Sequence, residues 1–174
     1  PQLKNGKRIA CVGAGCASLT VANDLLPLGY EITMFEQWGQ AGGLMRTNIP
    51  SFRLPAQVLN EEIAMIVDRG VDLQLGARIE SMQKLLSDGG FDAVFVGTGA
   101  PKGKELDLPG RKEGTANIHV GIDWLESLAF GHVDSIGKRV LIIGVGNTAM
   151  DCCRSSLRLG AADVKVMARK PRQY

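Results

Sequence analysis

An α/β fold built on parallel sheets is what this 174-residue sequence predicts, and three observations carry it. One strand–turn–helix–strand pattern is written twice, over residues 8–36 and again over residues 139–170. In each copy a glycine-rich turn separates an apolar run of strand length from an apolar stripe of helical period. Between the copies, short apolar runs alternate with helical patterns, the order expected of βαβ units.

The first copy is "RIACVGAGCASLTVANDLLPLGYEITMFE". Residues 9–12 are apolar throughout, which suits a strand buried on both faces. Gly13 permits a tight turn, and Gly15 lets a pyrophosphate approach the backbone with no Cβ in the way. The amides of Cys16, Ala17 and Ser18 open a helix whose positive end faces the phosphates. Val21, Ala22, Leu25 and Leu26 give that helix its apolar stripe. Ser18 takes the third glycine position of the usual fingerprint, where a small residue lets helix and strand pack closely. Residues 31–35 return as a strand. Glu36 then stands about 20 residues past the turn, where an acid accepts ribose hydroxyls and repels a 2′-phosphate. This site reads as one for FAD or NAD. The other reading of the same residues is an empty domain that keeps its glycines for packing.

The second copy is "RVLIIGVGNTAMDCCRSSLRLGAADVKVMARK". Residues 140–143 form the strand, and Gly144-Val145-Gly146 the turn. Asn147 and Thr148 open the helix, Met150, Cys153 and Leu157 form its apolar stripe, Gly160 closes it, and residues 164–168 make the next strand. Asp151 falls in the first helical turn, where helix-end electrostatics or a ligand contact would explain a carboxylate. Where Glu36 stood in the first copy, this one has Arg169, Lys170 and Arg172. Arginine presents a planar fork suited to phosphate oxygens, so the group reads as a 2′-phosphate grip and the ligand as NADP(H). A solvated basic loop is the alternative.

The middle of the chain adds to both sites. "WGQAGG" follows Glu36 directly, and its amides can approach the same ligand. "NIPSFRLP" reads as an ordered, extended loop. Arg53 within it is a phosphate or flavin contact, or else half of a surface salt bridge. Residues 57–69 form an amphipathic helix, residues 71–75 a strand, and residues 79–86 include a short helix. "FDAVFV" is a buried strand whose end at Gly97-Thr98-Gly99 can run beside a nucleotide. Residues 101–118 read as a surface linker, and residues 122–128 as a short helix.

Composition narrows the function classes. Net charge is +2 and no basic stripe with interleaved aromatics occurs, so nucleic acid is not an expected partner. The longest apolar runs are strand-sized, far short of the ~18 residues of a membrane span. Cys11, Cys16, Cys152 and Cys153 form no CxxC pair, so no metal site and no disulfide framework is expected, and a reducing, cytoplasmic setting is. The same absence argues against a disulfide reductase of the thioredoxin-reductase type, which needs a CxxC beside its flavin. His119 and His132 are isolated and receive no role.

The motifs "VGAGCAS", "FE" followed by "GGLM", "IPSFRLP", "VGTGAP" and "IGVGNTAMDCCRSSLRLGA" stand in order across residues 6–172. Together they resemble the FAD/NAD(P)-binding reductase module of the glutamate synthase small (beta) chain family. The chain is similar also to the flavin region of dihydropyrimidine dehydrogenases, where a Ser at the position of Ser18 is familiar. The resemblance implies two Rossmann-like three-layer α/β units, a two-dinucleotide-binding-domain flavoprotein architecture with its C-terminal half missing here. Residues 1–137 would be the N-terminal part of an FAD-binding domain, and residues 138–174 the truncated start of an inserted NAD(P)-binding domain. Carried over by position, Gly15, Cys16, Ala17, Ser18, Leu19, Glu36, Gly43, Leu44 and Arg53 would contact FAD, with Ile79 near its adenosine end. Gly144, Gly146, Asn147, Thr148, Arg169, Lys170 and Arg172 would hold NADP(H).

The implied reaction is hydride transfer from nicotinamide C4 to flavin N5, then single-electron delivery to an iron–sulfur acceptor. Its clusters would lie on a partner domain or a glutamate-synthase-large-subunit-like partner, not in this chain. Such a step needs no general acid or nucleophile, so no catalytic residue is assigned. The chain is thus expected to be a fragment of an NAD(P)H-dependent flavin oxidoreductase; a non-catalytic dinucleotide-binding or regulatory domain is the alternative. Changing Arg169 and Arg172 to Ala is expected to weaken NADPH binding by about tenfold or more while sparing NADH. Equal losses for the two nucleotides in a titration would remove the 2′-phosphate assignment.

Overall fold

Strand β1 (Arg8–Val12) has four consecutive buried residues, as its unbroken apolar run predicts, and it sits inside a four-stranded parallel sheet. The structure is a computed structural model that describes residues 3–168. Arg169, Lys170 and Arg172 lie outside the described residues. The chain divides into two compact units. The first holds the described residues up to Arg46 together with Leu54–Gly99; the second holds Thr47–Arg53 and the described residues from Ala100 onward.

In the first unit β1 pairs on one side with β2 (Glu31–Glu36) and on the other with β4 (Ala93–Val96), and β3 (Asp72–Leu75) lies outside β2. Side chains in register share a face, so Phe95, Cys11, Met34 and Leu73 form one row across the sheet. Onto the core pack Leu19 and Ala22 of α1 (Cys16–Leu25) and Leu59 and Ile63 of the helix over Ala56–Val67. Met34 is fully buried, and truncation of such a side chain to Ala costs about 2–5 kcal/mol. A short helix α2 (Leu44–Thr47) precedes that longer one, here α3. Helix α4 (Met82–Asp88) is capped by Ser81, whose hydroxyl accepts from the Lys84 amide.

The second unit carries a two-stranded parallel sheet of β5 (Arg139–Ile143) and β6 (Asp163–Met167). A pair of strands alone is marginal and needs a covering layer. That layer is α5 (Gly121–Ala129) and α6 (Asn147–Arg158), which meet around Trp124, Leu125 and Cys152 with Ile142 of β5 packed against them. The expected stripe of α6 requires correction. Met150 and Leu157 are exposed and Cys153 is half-buried, whereas Ala149, Cys152, Ser155 and Ser156 are buried. The reason is proximity: a Cβ on Gly121 would lie 3.3 Å from the Cys152 sulfur and 3.5 Å from Thr148 Cγ2. Helix α5 approaches α6 through small side chains, and that contact selects the buried face. The loop expected to be extended at residues 48–55 instead turns, with the Arg53 amide donating to the Pro50 carbonyl at 2.8 Å.

Asp92 accepts from Lys7 Nζ at 2.7 Å and from the Arg8 amide at 2.8 Å, joining the starts of β1 and β4. The hydrogen bond to Lys7 holds the Asp92 carboxyl below its ordinary 3.8 and the Lys7 ammonium above its ordinary 10.5. The depressed carboxyl contributes stability that is present above its ordinary value and lost as pH falls through the folded one. The raised ammonium contributes stability present below 10.5 and lost as pH rises through its folded value. Asp92→Asn is therefore expected to flatten the acid limb of stability as pH falls below the ordinary carboxyl value of 3.8, read by urea unfolding. An unchanged acid limb would show that the pair contributes nothing.

Candidate functional site

The first glycine turn closes at the carboxyl ends of β1 and β4. Gly13 has φ +92°, and a Cβ there would lie 2.6 Å from the Gly97 carbonyl oxygen. Its amide donates to the Phe35 carbonyl at 2.7 Å, while the Gly97 amide donates to Val12 at 2.8 Å. A Cβ on Gly97 would in turn strike the Ser18 hydroxyl. Ser18 is fully buried, and its hydroxyl has no hydrogen-bond partner among the described residues. Ser18 and Leu19 thus pack α1 onto the sheet and can offer a ligand only their backbone. Cys16 and Ala17 are exposed.

Helix α1 starts at Gly15 with no side chain capping it and no acid in its first turn. Among the described residues no side chain caps the amides of its first turn. Opposite stands the loop after β2. The Gly42 amide donates to the Ala14 carbonyl at 2.8 Å, and Gly43, at φ +52°, would bring a Cβ to 2.9 Å from Gly15 Cα. Two bare glycine backbones thus face each other beside an open helix end. Arg46 pins this loop by donating to the Ala41 carbonyl and to Asn60 Oδ1, both at 2.6 Å. Leu44 is exposed beside it.

Glu36 is only 5% exposed. Its Oε2 accepts from the Ala14 amide at 2.8 Å and its Oε1 from the Trp38 amide at 3.0 Å. The Glu36 carbonyl accepts from the Ala77 amide at 2.8 Å, which fixes the loop carrying half-buried Ile79. Thr98 and Gly99 are exposed just past Gly97. The structure therefore gathers Gly13, Gly15, Glu36, Gly43 and the 97–99 turn around the carboxyl ends of β1, β2 and β4, where ligands of parallel sheets bind. The cradle fits a diphosphate: it offers glycine backbone, an uncapped helix end and no side chain to displace.

The second turn repeats part of this. The Gly144 amide donates to the Met167 carbonyl at 2.9 Å, and α6 starts at Gly146 with no side-chain cap and no acid in its first turn. Asn147 and Thr148 are exposed there. Asp151 lies beyond the first turn, and its carboxylate caps nothing. It is 4% exposed and accepts from Arg53 Nη1 through both oxygens, at 2.9 and 2.6 Å. That hydrogen bond raises the Arg53 pKa further. Next to Arg53, the Phe52 ring lies under the guanidinium carbons of Arg154 and Arg158, at 4.7 and 3.7 Å from its centroid. No local pattern signals this cluster, because Arg53 and Asp151 are 98 residues apart.

A groove lined by Lys4, Arg8, Tyr30, Glu31, Arg69 and Asp72 lies at the amino ends of β1–β3, the end away from the glycine turn, and receives no role. Among the described residues no three His, Cys, Asp or Glu side chains are placed to hold a metal ion. Nor is any described helix long and apolar enough to cross a membrane.

The chain matches the pyridine nucleotide-disulphide oxidoreductase family over residues 7–174. It is 39% identical over 172 residues to the NADP(+)-dependent formate dehydrogenase subunit beta of Moorella thermoacetica, covering 97% of this chain and 24% of that protein. It is 32% identical over 189 residues to the glutamate synthase [NADPH] small chain of Azospirillum brasilense, covering 99% and 38%. The chain thus spans well under half the length of these relatives. In fold it is similar to Mycobacterium tuberculosis FprA in complex with NADPH, with TM-score 0.74 at 21% identity over 85% of this chain and 36% of that one.

The four thiols differ sharply in environment. Burial pushes Cys11 and Cys152 up to about 11, so both are protonated at neutral pH. Cys16 is exposed at the start of α1, and Cys153 is half-buried. Alkylation of native protein at pH 7.5 (about one unit below the ordinary thiol range) is expected to mark Cys16 first, whereas Cys11 and Cys152 react only in denaturant. Early labelling of Cys11, read by peptide mass, would contradict the packing of β1.

Proposed function

The chain belongs to the pyridine nucleotide-disulphide oxidoreductase family, and from that membership we propose that it acts as an NAD(P)H-dependent FAD oxidoreductase module of the glutamate synthase small-chain type. The observation that carries this is the pair of glycine turns, each opening onto a helix end with neither a capping side chain nor an acid in its first turn. In this reading the backbone at Gly13, Gly15, Cys16, Ala17, Ser18, Leu19 and Gly43 holds the FAD diphosphate. Glu36 accepts from the ribose with the lone pairs that Ala14 and Trp38 leave free. Leu44, Arg53, Ile79, Thr98 and Gly99 complete that site. Gly144, Gly146, Asn147 and Thr148 hold NADP(H), with Arg169, Lys170 and Arg172 on its 2′-phosphate.

When bound, FAD supplies the hydride acceptor for the reduced nicotinamide and the route to a one-electron, iron–sulfur acceptor. The protein binds and orients the two rings and keeps water from them. FAD-binding residues then fall within 1–137 and the NAD(P)-binding start within 138–174. An acceptor on another subunit is supported by the relatives' names, since one is called a subunit beta and another a small chain. Cytoplasmic residence follows from the same reading.

The test is a visible spectrum of the protein from the complete reading frame, before and after anaerobic NADPH. A flavin band that bleaches on addition is the expected result. Gly43→Ala, strained at φ +52° and crowding Gly15, is expected to lose the flavin on gel filtration. A colourless protein that takes up no FAD but binds NADPH would favour the non-catalytic dinucleotide-binding domain instead.

A further inference from the structure

The peptide that joins Ala41 to Gly42 is fastened at both of its polar groups. Arg46 Nε donates to the Ala41 carbonyl at 2.6 Å, and the Gly42 amide donates to the Ala14 carbonyl of the first glycine turn at 2.8 Å. Arg46 is itself tethered, because its Nη2 donates to Asn60 Oδ1 of α3 at 2.6 Å. All of these residues lie in the first unit. The fit is close. A Cβ on Gly42 would meet Arg46 Cβ, Arg46 Nε and Leu59 Cδ2, each at 3.2 Å. A peptide held at its carbonyl and at its N–H resists rotation, so the residue that follows it is aimed. That residue is Gly43. Its carbonyl accepts from the Arg46 amide at 2.9 Å, whereas its own amide has no partner among the described residues. The Gly15 amide has none among them either, and a Cβ on Gly43 would lie 3.7 Å from the Gly15 nitrogen. Two unpaired backbone donors, one from each loop, therefore stand close together at the turn.

We propose that Arg46 is a positioning residue: by holding the Ala41 carbonyl it sets the Gly42–Gly43 backbone, so that the amides of Gly43 and Gly15 donate together to oxygens of a bound diphosphate. The proposal deepens the functional reading above and rests on it, since that reading puts a diphosphate at these glycines. Arg46 also lies in the last turn of α2, where any cation suits a helix end. That simpler role needs no particular nitrogen. The clamp needs a donor at the ε position, and lysine has none there.

The test uses the protein from the complete reading frame, stripped of flavin, with Arg46→Lys, Arg46→Met, Asn60→Leu and the Met–Leu pair. FAD affinity, ADP affinity with NADP+ saturating the second site, and thermal midpoint are measured for each. Arg46→Lys keeps the charge and reaches Asn60, so its midpoint should hold while FAD and ADP weaken by about tenfold. Arg46→Met, with no donor at all, should weaken them at least as much. Asn60→Leu removes only the tether and should weaken both ligands less. Added to Arg46→Met it should cost nothing more, since its effect runs through Arg46.

Unchanged FAD or ADP affinity in Arg46→Lys would overturn the clamp, even if Arg46→Met failed to fold. So would a midpoint that falls in Arg46→Met while both affinities hold, or losses that multiply in the double variant. A wild type that binds ADP but no FAD would sink the flavin reading alone, and the clamp would then be judged by the ADP loss in Arg46→Lys. A wild type that binds neither would overturn both.

Discussion

A carboxylate removed from water must be met by donors, and the first glycine site is organised around one that is. Glu36 lies at the end of β2 and takes backbone amides from two other segments, Ala14 of the glycine turn and Trp38 of the following loop. Its own carbonyl receives a third, from Ala77. One residue therefore ties together the turn after β1, the loop after β2 and the loop after β3. Around it the backbone is drawn so close that Gly13 and Gly43 admit no side chain. What remains for a ligand is a surface of amides and Cα atoms, rigid because its walls are held by the sheet. Such a surface suits a diphosphate, whose recognition depends on close approach and oriented dipoles rather than on side-chain shape.

The second unit uses the same local plan but steadies it differently. Its helix α6 buries Asp151, Ser155 and Ser156 alongside Ala149 and Cys152, a polar lining for a helix packed on a sheet. The charge among them is balanced by Arg53, delivered from a segment far away in sequence. The position of α6 and the course of residues 47–53 are thus coupled through one ion pair. Neither partner can be replaced alone without leaving the other stranded.

The sequence pattern was legible where burial followed hydrophobicity. The apolar run at residues 9–12 marked the strand buried on both faces, and the glycines marked turns that the backbone requires. Ser18 was readable too, because its place in the fingerprint calls for a small residue and Gly97 lies against it. Helix α6 was misread because Met150 and Leu157 are its most apolar residues, whereas its buried face is set by close approach to Gly121. Asp151 was assigned to the first helical turn, with a helix-end or ligand role, because its partner is outside any local window.

From residues alone come the α/β class, the parallel strands and the two glycine turns, because each follows from periodicity and backbone sterics within about ten residues of chain. The three-dimensional fold settles which carboxylate does what. Glu36 reaches an amide 22 residues away and Asp151 a guanidinium 98 residues away. Those pairings depend on how separate elements pack in space, and a carboxylate's chemistry is set by the donors that packing brings to it.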